Sequence, residues 1–198
     1  MLVGSGSTHN VGLFYVRKSR HRSEVSIETL QSAIPDYAKD LRANLGVVTT
    51  SSLDPVAAWG SAYAAALVSK NQNVCQAVLE AAKDHLTEDQ LDGCRSAAAL
   101  MSMNNVWYKF TDLVKDPEVK ALPPKLRMNA MMSHGGVGLV LFETFSLSAS
   151  VVNACGTCVD AHTAQLRKQG LDAQYVVDVG RIASVIKAVS DTLTFKDT

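Results

Sequence analysis

Apolar residues recur along this chain with the period of helices, and no stretch alternates apolar and polar in the manner of a strand. Trp59, Tyr63, Ala66 and Leu67 stand at i, i+4, i+7 and i+8, one face of a helix over Val56–Lys70. Asp54-Pro55 supplies that helix with a cap and a proline suited to its first turn. Pro35-Asp36 repeats the signature ahead of a helix over Tyr37–Leu45. Asn73 stands where it can cap Val74–His85, and Thr87-Glu88-Asp89-Gln90 reads as a capping box opening a long segment through Met103. Pro117, Pro123 and Pro124 break the middle of the chain into loop or short helix. Past Gly135-Gly136-Val137-Gly138 an apolar segment runs to Val152. A further helix carries His162 to Lys168, Gly170 stops it, and Asp172 starts the last one, Ala173–Leu193. The predicted class is all-α, with alanine and serine letting the helices approach closely.

A faint internal echo, offset by 49 residues, aligns Met103–Lys109 with Val152–Cys158, only the Asn being identical. It suggests two related helical halves, of which the second holds the thiols. The glycine cluster is no phosphate loop: no strand precedes it and no lysine follows at the required position. It reads as a helix-initiating turn.

Composition changes this picture mainly at the N-terminus. The 198 residues carry 19 Lys+Arg against 19 Asp+Glu, but residues 1–24 contribute four basic groups (Arg17, Lys18, Arg20, Arg22) and the single acid Glu24. The remainder has 15 basic and 18 acidic residues, a mild excess of acid. Without a basic field there is no general attraction to nucleic acid or to an anionic membrane. No apolar run reaches the length of about 18 residues needed to span a bilayer without a charge or turn signal. We therefore expect residues 1–24 to be an appended leader, a tag remnant or over-extended start, and residues 25–198 to form one helical domain, with a cytoplasmic setting.

The candidate chemistry lies in the cysteines. Cys75 and Cys94 stand singly among apolar helical neighbours and are expected to pack as small hydrophobes. Cys155-Gly-Thr-Cys158 differs, because two thiols three residues apart can close a small disulfide in the first turn of a helix, whose N-terminus stabilises a thiolate. His162, four residues after Cys158, falls one turn further along the same face, whereas Cys155 is about 10 Å from it along the axis. An imidazole there can take the thiol proton, which makes Cys158 the candidate nucleophile and Cys155 the candidate resolving thiol. Glu143 is the one acid in an apolar stretch. In a straight helix it would lie about 18 Å from Cys155. If the chain reverses near residues 153–157, His162 is the titratable group that meets it, and the carboxylate can hold the imidazole's tautomer.

The pattern Glu143, Cys155-x-x-Cys158, His162 resembles that of the alkyl hydroperoxide reductase D family, within the carboxymuconolactone decarboxylase-like superfamily. The resemblance extends over roughly residues 25–193. It includes Ser26-Ile27-Glu28, Pro35-Asp36-Tyr37-Ala38-Lys39-Asp40, Met103-Asn104-Asn105-Val106, Leu126-Arg127-Met128-Asn129 and Phe142-Glu143. It implies an all-helical fold, a homotrimer, and thiol-dependent peroxidase activity on an alkyl hydroperoxide. It also implies electron transfer to a partner peroxiredoxin and reduction by a protein carrying dihydrolipoamide. Carried over to this chain, Cys158 forms the sulfenic acid and the mixed disulfide, Cys155 resolves it, and His162 and Glu143 belong to a proton relay. Thr157 departs from the family pattern, which often has His between the cysteines.

Two other functions fit the same residues. A thiol–disulfide oxidoreductase without peroxidase activity would use the same pair. A structural zinc site could draw on Cys155, Cys158 and His162 with Glu143 or His134 as fourth ligand. No flavin, haem or nicotinamide fingerprint is present, so no cofactor is expected and reducing equivalents must arrive from another protein.

Overall fold

The computed structural model describes residues 26–195, so the expected leader lies outside the described residues. Helices are the only regular elements among the described residues. They are α1 (Ile27–Ala33), α2 (Asp40–Asn44), α3 (Val47–Thr50), α4 (Pro55–Ser69), α5 (Gln72–Ala82), α6 (Glu88–Leu113), α7 (Pro117–Ala121), α8 (Asn129–Ser133), α9 (Leu139–Val152), α10 (Gly156–Lys168) and α11 (Ala173–Phe195). Short 3-10 turns at Asp36–Ala38 and His134–Gly136 precede α2 and α9. None of the described helices is by itself long and apolar enough to cross a membrane.

Two helices form the centre. α4 packs against α5, α6, α9 and α11, and α9 packs against α4, α6, α10 and α11. Both are buried around most of their circumference, which explains why their sequences carry apolar and small residues on every face. Ala57, Ala62, Ala64, Ala65 and Ala66 are fully buried, and Gly60 sits against the Phe145 ring. A Cβ at Gly60 would fall 2.1 Å from Phe145 Cε1, so glycine sets how closely α4 and α9 approach.

The caps follow local chemistry. Asp54 Oδ1 accepts from Val56 N and Ala57 N at 2.9 and 3.0 Å. Thr87 and Gln90 form the reciprocal capping box. Asp172 accepts the Tyr175 N–H at 2.8 Å, and Gly138, at φ 85°, turns the chain into α9.

Three boundaries differ from expectation. Asn71, not Asn73, caps α5, because Lys70 ends α4 in the left-handed region (φ 63°) and leaves only a short connection; Asn71 then accepts the Val74 N–H at 3.1 Å. The segment 37–45 divides into a 3-10 turn and α2, with Arg42 folded back onto the Ile34 carbonyl and Asp36. α6 continues past Met103 to Leu113, because no Gly or Pro falls between those two residues and its buried Asn105 finds partners on a neighbouring helix. The 49-residue echo consequently aligns unlike positions: Asn104 lies inside α6, while Asn153 caps the end of α9.

Candidate active site

The site is built on the reversal between α9 and α10. Asn153 ends α9, Ala154 takes a left-handed conformation (φ 51°), and Cys155 caps α10 from an extended backbone. The Cys155 N–H donates to the Ser150 carbonyl at 3.2 Å, closing the turn. Cys155 is thereby fixed next to the first turn of α10, which carries Cys158. The two cysteines form a disulfide with a Cα–Cα distance of 5.3 Å. Both side chains are buried, whereas Gly156 and Thr157 between them are exposed.

The reversal lays α10 back along α9 and brings Glu143 to His162. Glu143 Oε2 and His162 Nδ1 are 2.6 Å apart, and both groups are buried. A carboxylate in its ionised form can only accept, and in that form it pairs with the tautomer that carries its hydrogen on Nδ1. His162 Nε2 faces the Met101 thioether at 3.2 Å. A thioether has no proton to give, so it leaves the Nε2 lone pair available, and it accepts weakly when Nε2 is protonated.

Sequence reasoning missed the part that α6 plays. Residues 101, 105, 109 and 112, spaced 4, 4 and 3 along one face, each touch the α9–α10 unit. Met101 meets His162. Asn105 Nδ2 donates to Ser150 Oγ at 2.9 Å, and its Oδ1 accepts from Asn153 Nδ2 at 2.9 Å. Lys109 Nζ donates to the Asn153 carbonyl at 3.3 Å. Asp112 Oδ2 accepts the hydroxyl of Thr157 at 2.6 Å. Thr157, the residue by which this chain departs from the resembled family pattern, thus presents a hydroxyl held by a carboxylate. The signal was present as spacing, but only packing shows which face it serves.

The other thiols sit elsewhere. Cys94 is buried on α6 with its thiol near the Gly60 carbonyl at 3.6 Å, and burial pushes its pKa far up. Cys75 is half-buried on α5, and burial raises its pKa too, against the attraction of Arg95. Among the described residues no group of three His, Cys, Asp or Glu is arranged to hold a metal ion. His134 packs edge-on to Phe142 instead.

An all-α scaffold presenting a Cys-x-x-Cys disulfide over a buried Glu–His pair has close relatives. The model of the Carboxymuconolactone decarboxylase family matches residues 117–194, the part that holds Cys155 and Cys158. Over 170 residues, 85% of this chain and 91% of the relative, it is 45% identical to an alkyl hydroperoxide reductase AhpD from Rhodospirillum centenum. It is 42% identical over 170 residues to an AhpD from Streptomyces avermitilis, covering 85% of this chain and 96% of that protein. Against an AhpD from Frankia alni the identity is 41% over 175 residues, 88% of this chain and 94% of the relative. The chain belongs to the alkyl hydroperoxide reductase AhpD family.

Proposed function

We propose that this protein is a thiol-dependent alkyl hydroperoxidase in which Cys158 reacts with the peroxide and Cys155 resolves it. The observation that carries this is the Cys155–Cys158 disulfide at the mouth of a helix whose next inward-facing turn holds His162 against Glu143.

In the reduced protein the Cys158 proton passes to Nε2 of His162, and Glu143 stabilises the imidazolium through Nδ1–H. The thiolate, favoured by the N-terminus of α10, attacks the terminal peroxide oxygen. The O–O bond breaks, Cys158 becomes a sulfenic acid, and the alkoxide leaves as the alcohol after taking up a proton. The Cys155 thiol then attacks the Cys158 sulfur, giving the disulfide and water. Return to the dithiol takes two electrons and two protons from an external dithiol. We assign that role to a protein-bound dihydrolipoamide, and the onward electron acceptor to a partner peroxiredoxin. In this reading the protein works as a cytoplasmic homotrimer.

Stopped-flow consumption of cumene hydroperoxide by the fully reduced protein tests the assignment. Wild type consumes peroxide through many turnovers with a dithiol reductant, and Cys158→Ser consumes none. Cys155→Ser completes one reaction and then stalls as the sulfenic acid. A wild-type protein that exchanges disulfides but leaves the peroxide untouched is an oxidoreductase without peroxidase activity. A Cys155→Ser protein that keeps wild-type turnover removes the resolving role.

A further inference from the structure

Asp112 and Thr157 are 45 residues apart in sequence and meet beside the redox pair. The 2.6 Å separation between the Thr157 hydroxyl and Asp112 Oδ2 is that of a hydrogen bond to an ionised carboxylate. Both side chains are exposed, so the contact adds little to global stability and its effect is local. Thr157 lies in the first turn of α10, where unpaired backbone N–H groups favour an anion. Cys158 is in the same turn, and its thiolate draws on the same field. Asp112 thus holds a negative charge next to the turn on which a second negative charge must form. Among the described residues it has no ion-pair partner to cancel that charge.

We propose that Asp112 is a positioning residue of the redox pair: through Thr157 it ties the first turn of α10 to α6, and its charge opposes the Cys158 thiolate and favours the disulfide over the dithiol. The elements packed around Cys158 carry other charged and titratable groups, among them Tyr108 and Lys109 on α6 and Glu143 on α9, with Asp160, His162, Arg167 and Lys168 on α10 itself. Lys109 is engaged with the Asn153 carbonyl, and Glu143 with His162. On α11, Asp178 and Arg181 are committed to each other, with Ser52 and Gln174 also bound to Asp178. Asp112 is therefore the charge bonded to the segment between the two cysteines. The proposal rests on Cys158 being the reacting thiol, as inferred above.

The test compares wild type, Asp112→Asn, Thr157→Val and the double variant, all as reduced full-length protein. One readout is the pH dependence of iodoacetamide alkylation at Cys158, localised by fragment mass. The other is the equilibrium in which the disulfide and two glutathiones give the dithiol and oxidised glutathione. Asn keeps an acceptor for Thr157 while removing the charge. In Asp112→Asn the alkylation midpoint falls by about 0.5 or more, and the glutathione equilibrium moves about 3-fold or more toward the dithiol. In the Thr157→Val background, where the carboxylate is no longer held, the same substitution has less than half that effect. A purely structural role predicts changed melting with an unmoved midpoint, and that result overturns the proposal. A shift of equal size with and without Thr157 overturns the tie. Neither readout uses peroxide, so a protein that shows the shift yet consumes no hydroperoxide loses only the peroxidase reading.

Discussion

Glu143 and His162 are 19 residues apart, on antiparallel neighbouring helices, and their side chains meet at 2.6 Å with each residue only 5% exposed. The pair converts an otherwise costly buried carboxylate into the partner that orients an imidazole. Its position on the inner side of α10, one turn beyond Cys158, links the hydrophobic centre of the fold to the buried Cys155–Cys158 disulfide.

Replacing Glu143 with Gln keeps the shape but removes the charge that fixes the tautomer and stabilises the protonated ring. We expect the rate constant for reaction of the reduced protein with cumene hydroperoxide to fall by about 10–100-fold. Far-UV circular dichroism is expected to stay unchanged. A rate within a factor of two of wild type removes Glu143 from the relay.

Asn105 joins α6 to the turn that presents Cys155. In Asn105→Ala the Asn153 amide and the Ser150 hydroxyl lose their partner in a buried setting. The expected destabilisation is about 2–3 kcal/mol in urea unfolding. Disulfide formation by the reduced protein should also slow, since Cys155 is held through Ser150 and this turn.

The four cysteines should separate by reactivity. Burial disfavours the thiolate of Cys94 strongly and that of Cys75 less, whereas the first turn of α10 favours one at Cys158. Timed alkylation of the reduced native protein at pH 7, read by mass spectrometry, is expected to label Cys158 first. Cys94 should remain unlabelled until the protein unfolds, and rapid labelling of Cys94 contradicts its placement against Gly60.

Asp178 fastens α11 to the loop before α4. Burial alone would raise its pKa. Hydrogen bonds from the Ser52 N–H and hydroxyl, Gln174 and Arg181 outweigh that and hold it below the usual carboxylate range. A carboxyl with a depressed folded-state pKa contributes stability above its unfolded value of about 3.9, and the contribution is lost as pH falls through the folded value. Asp178→Asn is therefore expected to lower the melting temperature at pH 7 and to narrow the gap from wild type on acidification below about pH 4. An equal gap at pH 7 and pH 3 shows that ionisation of Asp178 does not matter.

Much of this protein is determined locally. Caps at Asp54, Thr87 and Asp172, breaks at Pro117 and Gly170, and apolar residues at helical spacing specify an all-α chain, because each acts within one turn of backbone. The Cys155-x-x-Cys158 pair and the position of His162 one turn later are local as well, and the relation of Glu143 to His162 follows once the chain reverses between them. Tertiary structure decided what no window of sequence holds. It chose the face of α6 that presents Met101, Asn105, Lys109 and Asp112 to the turn between α9 and α10, continued that helix ten residues past Met103 to Leu113, and separated Cys94 from the Cys155–Cys158 disulfide. Those outcomes depend on which helix α6 meets, and hydrogen bonds across 45 residues or more are set by packing rather than by the propensities of the residues that make them.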